Sequence, residues 1–347
     1  MSLPRFFLLS TLGLFMVIGL MGWMKKGKEK HTIPVSTAAV QKIEFKNDDS
    51  KITAQVPSKK EKKALAKANH KKIKKEKDLV ASLAPLSNDQ LPEANYIGSF
   101  FDPAAIKLPI VETVTYTRRV PWLKGKFAWV SDYASHYKTS KHFIARSLNK
   151  KADYFTQDVR NGDRFNVLRT DKNFHFYLLI DTSRSKMWFY YVDDDLNQRT
   201  LVKTYSVGLG RLDDAKASGS LTPIGKYTLG EKIAVYKPGV MGHFNNDKVE
   251  MVQVFGTRWI PFGEEIEGCT APAKGFGLHG TPLLKNSNGE YVEDISGVGK
   301  FESDGCVRIK QKEMEELFSI IVSRPTVVEL VKDFHEAKLP GEDKKFD

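Results

Sequence analysis

Cysteine is scarce in this chain: 347 residues contain two, Cys269 and Cys306. At most one internal disulfide is available, so each thiol has to be read from its surroundings. A calcium loop is also missing. Asp193-Asp194-Asp195 supplies an acidic start, but no loop after it has the ligand spacing a calcium site needs, so the segment reads as a solvated hairpin turn. Aromatic residues are missing from the strongest charge run, residues 59–77, which carries ten lysines. Without rings on which bases can stack, that run is a poor nucleic-acid site, and no nucleic-acid partner is expected. Charge is wholly missing from residues 6–23, and the small residues of a signal-cleavage site do not cluster until residues 36–39.

Those absences organise the amino terminus. An uncharged apolar run long enough for a bilayer core, with no cleavage signal close behind it, predicts a membrane anchor within residues 1–24. The formal net charge is +12, and much of it lies before residue 80. Residues 25–94 predict a basic, extended linker, because like-charge blocks repel and bury too little apolar surface to fold. Contact with anionic lipid or a wall polymer is the sharper expectation for its lysines. Lys25, Lys26, Lys28 and Lys30 follow the anchor and by charge bias favour a cytoplasmic body. The chemistry inferred below requires an external, periplasmic one, and it sets the expected orientation.

Folding signals begin near Tyr96. Tyr133, Tyr137, Ile144 and Leu148 recur at near-helical spacing and predict one helix over 131–148. Asn161-Gly162-Asp163 predicts a turn before the strand-like Phe165, Val167 and Leu168. Residues 95–170 therefore read as a small mixed accessory unit, with His136 and His142 as surface or packing residues. From 174 onward the pattern is β: strands are predicted over 174–180, 187–192, 200–207, 226–229, 249–255 and 257–260, with a last strand over 327–331. Met314, Leu317, Phe318 and Ile321 share one face of a helix. The fold class is mainly β: a β-sandwich-like domain over 171–335 with an attached helix, followed by a polar tail over 336–347.

One histidine and one cysteine stand out. His279 follows an apolar pair and precedes Gly280, and Cys306 follows Gly305. A thiolate is the reactive form of cysteine, and a basic neighbour promotes it, so the pair reads as nucleophile and base for acyl transfer. Glycine at 305 permits a tight turn, and the Gly305 and Cys306 N–H groups would then face a developing oxyanion. Arg308, two residues past Cys306, shares its face if the segment is a strand, and its guanidinium suits a substrate carboxylate. His243 is a weaker candidate for the cleft.

Residues 174–331 resemble the L,D-transpeptidase catalytic domain (YkuD-like) family of peptidoglycan enzymes. The likeness is carried by His279-Gly280-Thr281 and Ser303-Asp304-Gly305-Cys306-Val307-Arg308, with Tyr205-Ser206-Val207-Gly208 and Thr222-Pro223-Ile224-Gly225-Lys226-Tyr227 upstream in the family's order. The resemblance implies Cys306 as nucleophile, His279 as general base and acid, the Gly280 carbonyl orienting the imidazole, and Gly305 as oxyanion donor. Ser303, Thr281, Asp304 and Arg308 are the expected substrate contacts. It implies peptidoglycan stem peptides as partners, no metal and no cofactor. The expected reaction expels terminal D-alanine from a tetrapeptide through a Cys306 thioester and then forms a 3→3 crosslink or anchors a protein. Hydrolysis as an L,D-carboxypeptidase is the near alternative, and a non-catalytic wall-binding tether the distant one. Two departures mark the chain: Asp304 stands where the family more often has histidine, and residues 282–302 form a longer loop, expected to cover the site or shape substrate choice. Cys269 is expected to be a structural or free thiol.

Overall fold

The computed structural model describes residues 91–346 apart from 153 and 155–157. The expected anchor at 6–23, and the linker up to residue 90, lie outside the described residues. No described helix is long and apolar enough to cross a membrane. The last four residues of the expected linker are docked instead. Leu91 is buried, Trp188 donates its indole N–H to the Pro92 carbonyl at 2.8 Å, and Lys186 pairs with Glu93 at 2.7 Å.

Next come a short helix α1 (Gly98–Phe101), strand β1 (Val111–Thr115), helices α2 (Val130–His136) and α3 (Lys141–Asn149), and strand β2 (Arg164–Leu168). The single helix expected over 131–148 is two. Lys138 takes a positive φ of 46°, and the Ser140 hydroxyl caps α3 by accepting from the Phe143 N–H at 3.0 Å. A side-chain oxygen that satisfies an orphan N–H starts a new helix at that point. Strands β1 and β2 pair antiparallel. Tyr116, Tyr133, Ile144, Phe165 and Val167 form a core beside them, while Phe100, Phe143 and Leu168 belong to the main core. His136 stacks on Trp122 and His142 packs on Phe318, so both histidines are packing residues.

The chain then runs through β3 (Phe174–Asp181), β4 (Lys186–Asp193), β5 (Gln198–Ser206), β6 (Leu209–Gly210), β7 (Gly225–Leu229), β8 (Ala234–Val235), β9 (Met241–Phe244) and β10 (Asp247–Glu250). After helical turn α4 (Val252–Phe255) follow β11 (Arg258–Glu267), β12 (Gly277–Gly280), β13 (Leu283–Lys285), β14 (Tyr291–Glu293), β15 (Phe301–Ser303) and β16 (Val307–Ile309). Helix α5 (Gln311–Ile321), β17 (Thr326–Val331) and β18 (Glu342–Asp343) complete it. The strand expected over 249–255 ends at Glu250, where the chain turns into α4. Gly256, at φ 62°, then redirects it into β11, which runs seven residues past the expected end at 260.

The structure is mainly β. Ten strands form one sheet in the order β16-β12-β11-β7-β17-β3-β4-β5-β18, with β8 beside β11. The faces expected of a sandwich are thus hydrogen-bonded into a continuous sheet. Alternation along β4 shows how it is covered. Met187, Phe189 and Tyr191 point into the main core, whereas Trp188, Tyr190 and Val192 pack on the opposite face with Leu91, Phe334 and Leu339, as a side-chain period of two requires. Helix α5 lays Met314, Leu317, Phe318 and Ile321 on the first face, each contributing about 1.5–3 kcal/mol by the usual burial scale. The expected polar tail is part of the sheet. Strand β18 pairs in parallel with β5 through backbone bonds that need no apolar side chain.

Candidate active site

Strand β12 pairs in parallel with β16, setting Leu278 opposite Val307, His279 opposite Arg308 and Gly280 opposite Ile309. Leu278, Val307 and Ile309 are fully buried in the core. By alternation, His279, Arg308 and Cys306, which directly precedes β16, share the other face. The register alone brings the three together.

His279 is buried, and its Nδ1 lies 2.7 Å from the Gly280 carbonyl oxygen. A carbonyl only accepts, so Nδ1 carries the proton and Nε2 presents a lone pair. The ring packs edge-on against Phe255 at 5.3 Å and beside Trp259 at 6.0 Å. Burial pulls the imidazole down to about 4, and Arg308 adds to the effect, although the Gly280 hydrogen bond opposes it. His279 is therefore neutral at pH 7. Burial likewise pushes the Cys306 thiol up to about 12; a Gly277 backbone hydrogen bond and Arg308 pull it down, and Asp304 pushes it further up. The thiol donates to the Gly275 carbonyl at 3.6 Å, and no hydrogen bond joins Cys306 to His279 among the described residues. At rest the pair is two neutral groups.

The loop that carries Cys306 is fixed by its own polar groups. The Ser303 hydroxyl accepts from the Gly305 N–H at 3.1 Å and donates to the Cys306 carbonyl at 2.7 Å. Thr222 donates its hydroxyl to the Gly305 carbonyl at 3.0 Å and accepts from the Gly210 N–H at 2.7 Å. Gly305 sits at φ +118°, and a Cβ there would lie 2.5 Å from the Phe276 ring, so no other residue fits without rearrangement.

Several expected substrate contacts are placed elsewhere. Ser303 is buried and its hydroxyl is committed to the loop, so it holds Cys306 in place rather than facing a ligand. The Gly305 N–H is taken up by Ser303, which leaves the Cys306 N–H as the loop's donor for an oxyanion. Thr281 is buried and donates to Glu293 at 2.6 Å. Asp304 is exposed beside the thiol and pairs with Arg211 at 2.5 Å. Arg308 makes no ion pair among the described residues. His243 is exposed on β9. Cys269 and Cys306 are both free thiols; Cys269 packs on Gly225 and donates to the Lys226 carbonyl at 3.1 Å. No group of three or more His, Cys, Asp or Glu side chains converges as a metal site among the described residues.

Residues not anticipated from sequence complete the surroundings. Gln311 fills the space left by Gly256 and Gly280. It donates to the Thr281 carbonyl at 3.0 Å and accepts from the Thr257 hydroxyl at 3.0 Å, directly behind the carbonyl that holds His279. Residues 282–302 fold as a β13–β14 hairpin around the expected 286–289 turn, with Asn286 N–H donating to the Glu290 carbonyl at 2.9 Å. Glu293 pins this hairpin to the first turn of α5 by accepting from the Gln311 N–H at 2.8 Å. Glu250 clamps it to the β9–β10 hairpin, accepting from Tyr291 and from the Gly239 N–H and pairing with Lys285 at 3.2 Å. The far end of the loop passes Arg308: a Cβ on Gly297 would lie 3.4 Å from the guanidinium.

Residues 175–330 match the family model of the L,D-transpeptidase catalytic domain (YkuD). No curated protein matches the chain. Among solved structures it is similar to the helical cell shape determining protein Pgp2 from Campylobacter jejuni, at 16% identity and a TM-score of 0.31, over 49% of this chain and 51% of that one. Bd1075 from Bdellovibrio bacteriovorus is similar at 15% identity and a TM-score of 0.30, over 46% and 48%. Each match spans about half the length of the solved protein.

Proposed function

From the premise that residues 175–330 belong to the L,D-transpeptidase catalytic domain family, we propose that the protein is a cysteine acyltransferase acting on peptidoglycan stem peptides. The observation that carries this is the β12–β16 register, which sets His279, Cys306 and Arg308 on one face.

The chemistry follows from two neutral groups. When a stem peptide places its third-residue carbonyl against Cys306, Sγ attacks and the thiol proton passes to His279 Nε2. The Gly280 carbonyl holds Nδ1–H throughout, so the ring needs no reorientation and the imidazolium that forms is stabilised. The Cys306 N–H faces the developing oxyanion, a contribution of the kind that preorganised donors make. The leaving amine of terminal D-alanine takes the proton from Nε2, and the thioester remains. An amine of a second stem, deprotonated by the same Nε2, then attacks the thioester, expels the thiol and yields a 3→3 crosslink. Water in place of the amine gives the L,D-carboxypeptidase product. Arg308, which makes no ion pair among the described residues, is suited to a stem carboxylate.

The substrate lies outside the cytoplasmic membrane, so the catalytic domain is proposed to face the external side behind the expected anchor. A reporter fused after Asp347 tests this, and a cytoplasmic signal refutes it. For the activity, the protein is mixed with disaccharide tetrapeptides and the products are read by mass spectrometry. Release of D-alanine with dimers or tripeptides, lost in Cys306→Ala, is expected. Absence of all three products from the unaltered protein refutes the proposal.

A further inference from the structure

Away from the active site, residues 127–130 alternate in exposure: Phe127 is 51% exposed, Ala128 1%, Trp129 55% and Val130 1%. Trp129 is extended, at φ −105° and ψ 166°. In an extended segment, residues two apart point the same way, about 7 Å from each other. Ala128 and Val130 are packed inward, so Phe127 and Trp129 stand side by side on the outer face. Arg118 and Arg119 lie over the Phe127 ring at 5.9 and 5.3 Å, and Lys124 is exposed nearby in the chain.

The segment is held rigidly from below. The Ala128 N–H donates to the Arg118 carbonyl at 2.8 Å, and the Tyr116 hydroxyl donates to the Ala128 carbonyl at 2.7 Å. The Arg118 N–H donates to Asn161 at 2.9 Å, and the Trp129 N–H donates to Asp132 at 2.7 Å. Single exposed apolar residues need no explanation, but two large rings fixed on one face, one of them beneath two guanidiniums, do.

We propose that Phe127, Trp129, Arg118 and Arg119 form a binding platform for a glycan strand whose sugars carry carboxylates. A pyranose ring offers a flat C–H face that stacks on an aromatic ring, and two rings at this spacing receive adjacent sugars. The guanidiniums above Phe127 supply bidentate partners for carboxylates along the strand, which gives charge complementarity as well as shape. The identity of the polymer rests on the activity proposed above: the molecule that presents stem peptides to Cys306 is an amino-sugar chain, and a sugar from which the stem has been removed bears a free carboxylate where the stem amide stood. The platform then keeps the enzyme on the strand while the catalytic domain works on the stems.

The test uses the full chain with Cys306→Ala, so that nothing is turned over, and three probes: stem-free glycan strands, disaccharide tetrapeptide and a single-stranded oligothymidine. Quenching of tryptophan fluorescence on titration reads binding. Stem-free strands are expected to bind, and Phe127→Ala with Trp129→Ala to weaken binding at least tenfold, read by co-sedimentation with wall material because a tryptophan is lost. Arg118→Glu with Arg119→Glu leaves the aromatic rings in place and is expected to weaken binding severalfold, with a shallower salt dependence. Thermal melting identifies any variant that fails to fold. Binding within twofold of the parent in the folded variants overturns the inference, as does tighter binding of oligothymidine than of glycan. With Cys306 intact, the aromatic double variant should form product from soluble disaccharide tetrapeptide within twofold of the parent. A parent that binds strands but yields no product would sink the activity and leave the platform standing.

Discussion

A neutral thiol beside a neutral imidazole makes a sharp kinetic prediction. An unperturbed thiol of pKa 9.0 is about 1% ionised at pH 7, whereas Cys306, at about 12, is ionised about a thousandfold less. Alkylation by iodoacetamide follows the thiolate, so Cys306 should react at pH 7 about thirty- to sixtyfold more slowly than free cysteine, after allowance for the higher nucleophilicity of a more basic thiolate. The rate should climb about tenfold per pH unit from pH 7 to 10 without levelling. Peptide mapping by mass spectrometry separates Cys306 from Cys269, which serves as an internal comparison. Turnover should behave differently. In the proposed mechanism the base is His279, already unprotonated above about 4, so kcat/KM should rise through acid pH and be flat from about 6 to 8. A plateau in the alkylation rate between pH 6 and 8 would mean a preformed thiolate–imidazolium pair and would refute this account of the resting site.

Other perturbations probe the frame around that pair. Gly305→Ala forces a Cβ to within 2.7 Å of the Leu221 carbonyl at a φ of +118°; a stability loss of about 1–3 kcal/mol in urea melts, with a larger proportional loss of turnover, is expected. Asp304→Asn removes a carboxylate that raises the Cys306 pKa, so the thiol titrates lower and alkylation at pH 8 speeds up severalfold; an unchanged rate would place Asp304's charge out of reach. Glu250→Gln weakens the clamp between the β9–β10 and β13–β14 hairpins, so amide exchange should quicken at Gly239 and across 283–293 while β3 and β4 stay protected.

How much was legible from sequence depended on whether a residue's task was local. Strands β3, β4 and β5 were readable because branched and aromatic residues ran between polar turns, and α5 because Met314, Leu317, Phe318 and Ile321 repeat at helical spacing. The candidate nucleophile and base were marked by the glycines beside them. The motif around Thr222 was visible, but its task was not: tying Gly305 from across the sheet depends on a contact 83 residues away. Ser303 illustrates the opposite error. A hydroxyl three residues before a nucleophile suggested substrate, yet its shortest partner is the Cys306 carbonyl. The break between α2 and α3 was hidden because apolar spacing continued across it while Ser140 made the cap. Gln311 and Glu293 left no signal, since a buried amide and a half-buried carboxylate acquire their tasks only when α5 and the β13–β14 hairpin meet.

These ties divide the site into two parts with different consequences. Ser303, Thr222 and Gly305 hold Cys306 through short bonds between the loop and its neighbours, and the Gly280 carbonyl, backed by Gln311, holds His279. Both reacting groups are thus fixed by elements that also carry the main core, and the chemistry is insulated from changes outside it. The two hairpins joined at Glu250 are different. They reach the site through Phe255 of the adjoining α4 on His279, through Glu293 on Thr281 and Gln311 and through the loop end near Arg308, and their outer faces expose Met241, Leu284 and Val292. Substitutions there can reshape what approaches Cys306 without moving Cys306 itself. Under the proposed activity, selectivity among stem peptides and acceptors is therefore open to change at 239–255 and 282–300, while changes at 303–306 act on rate.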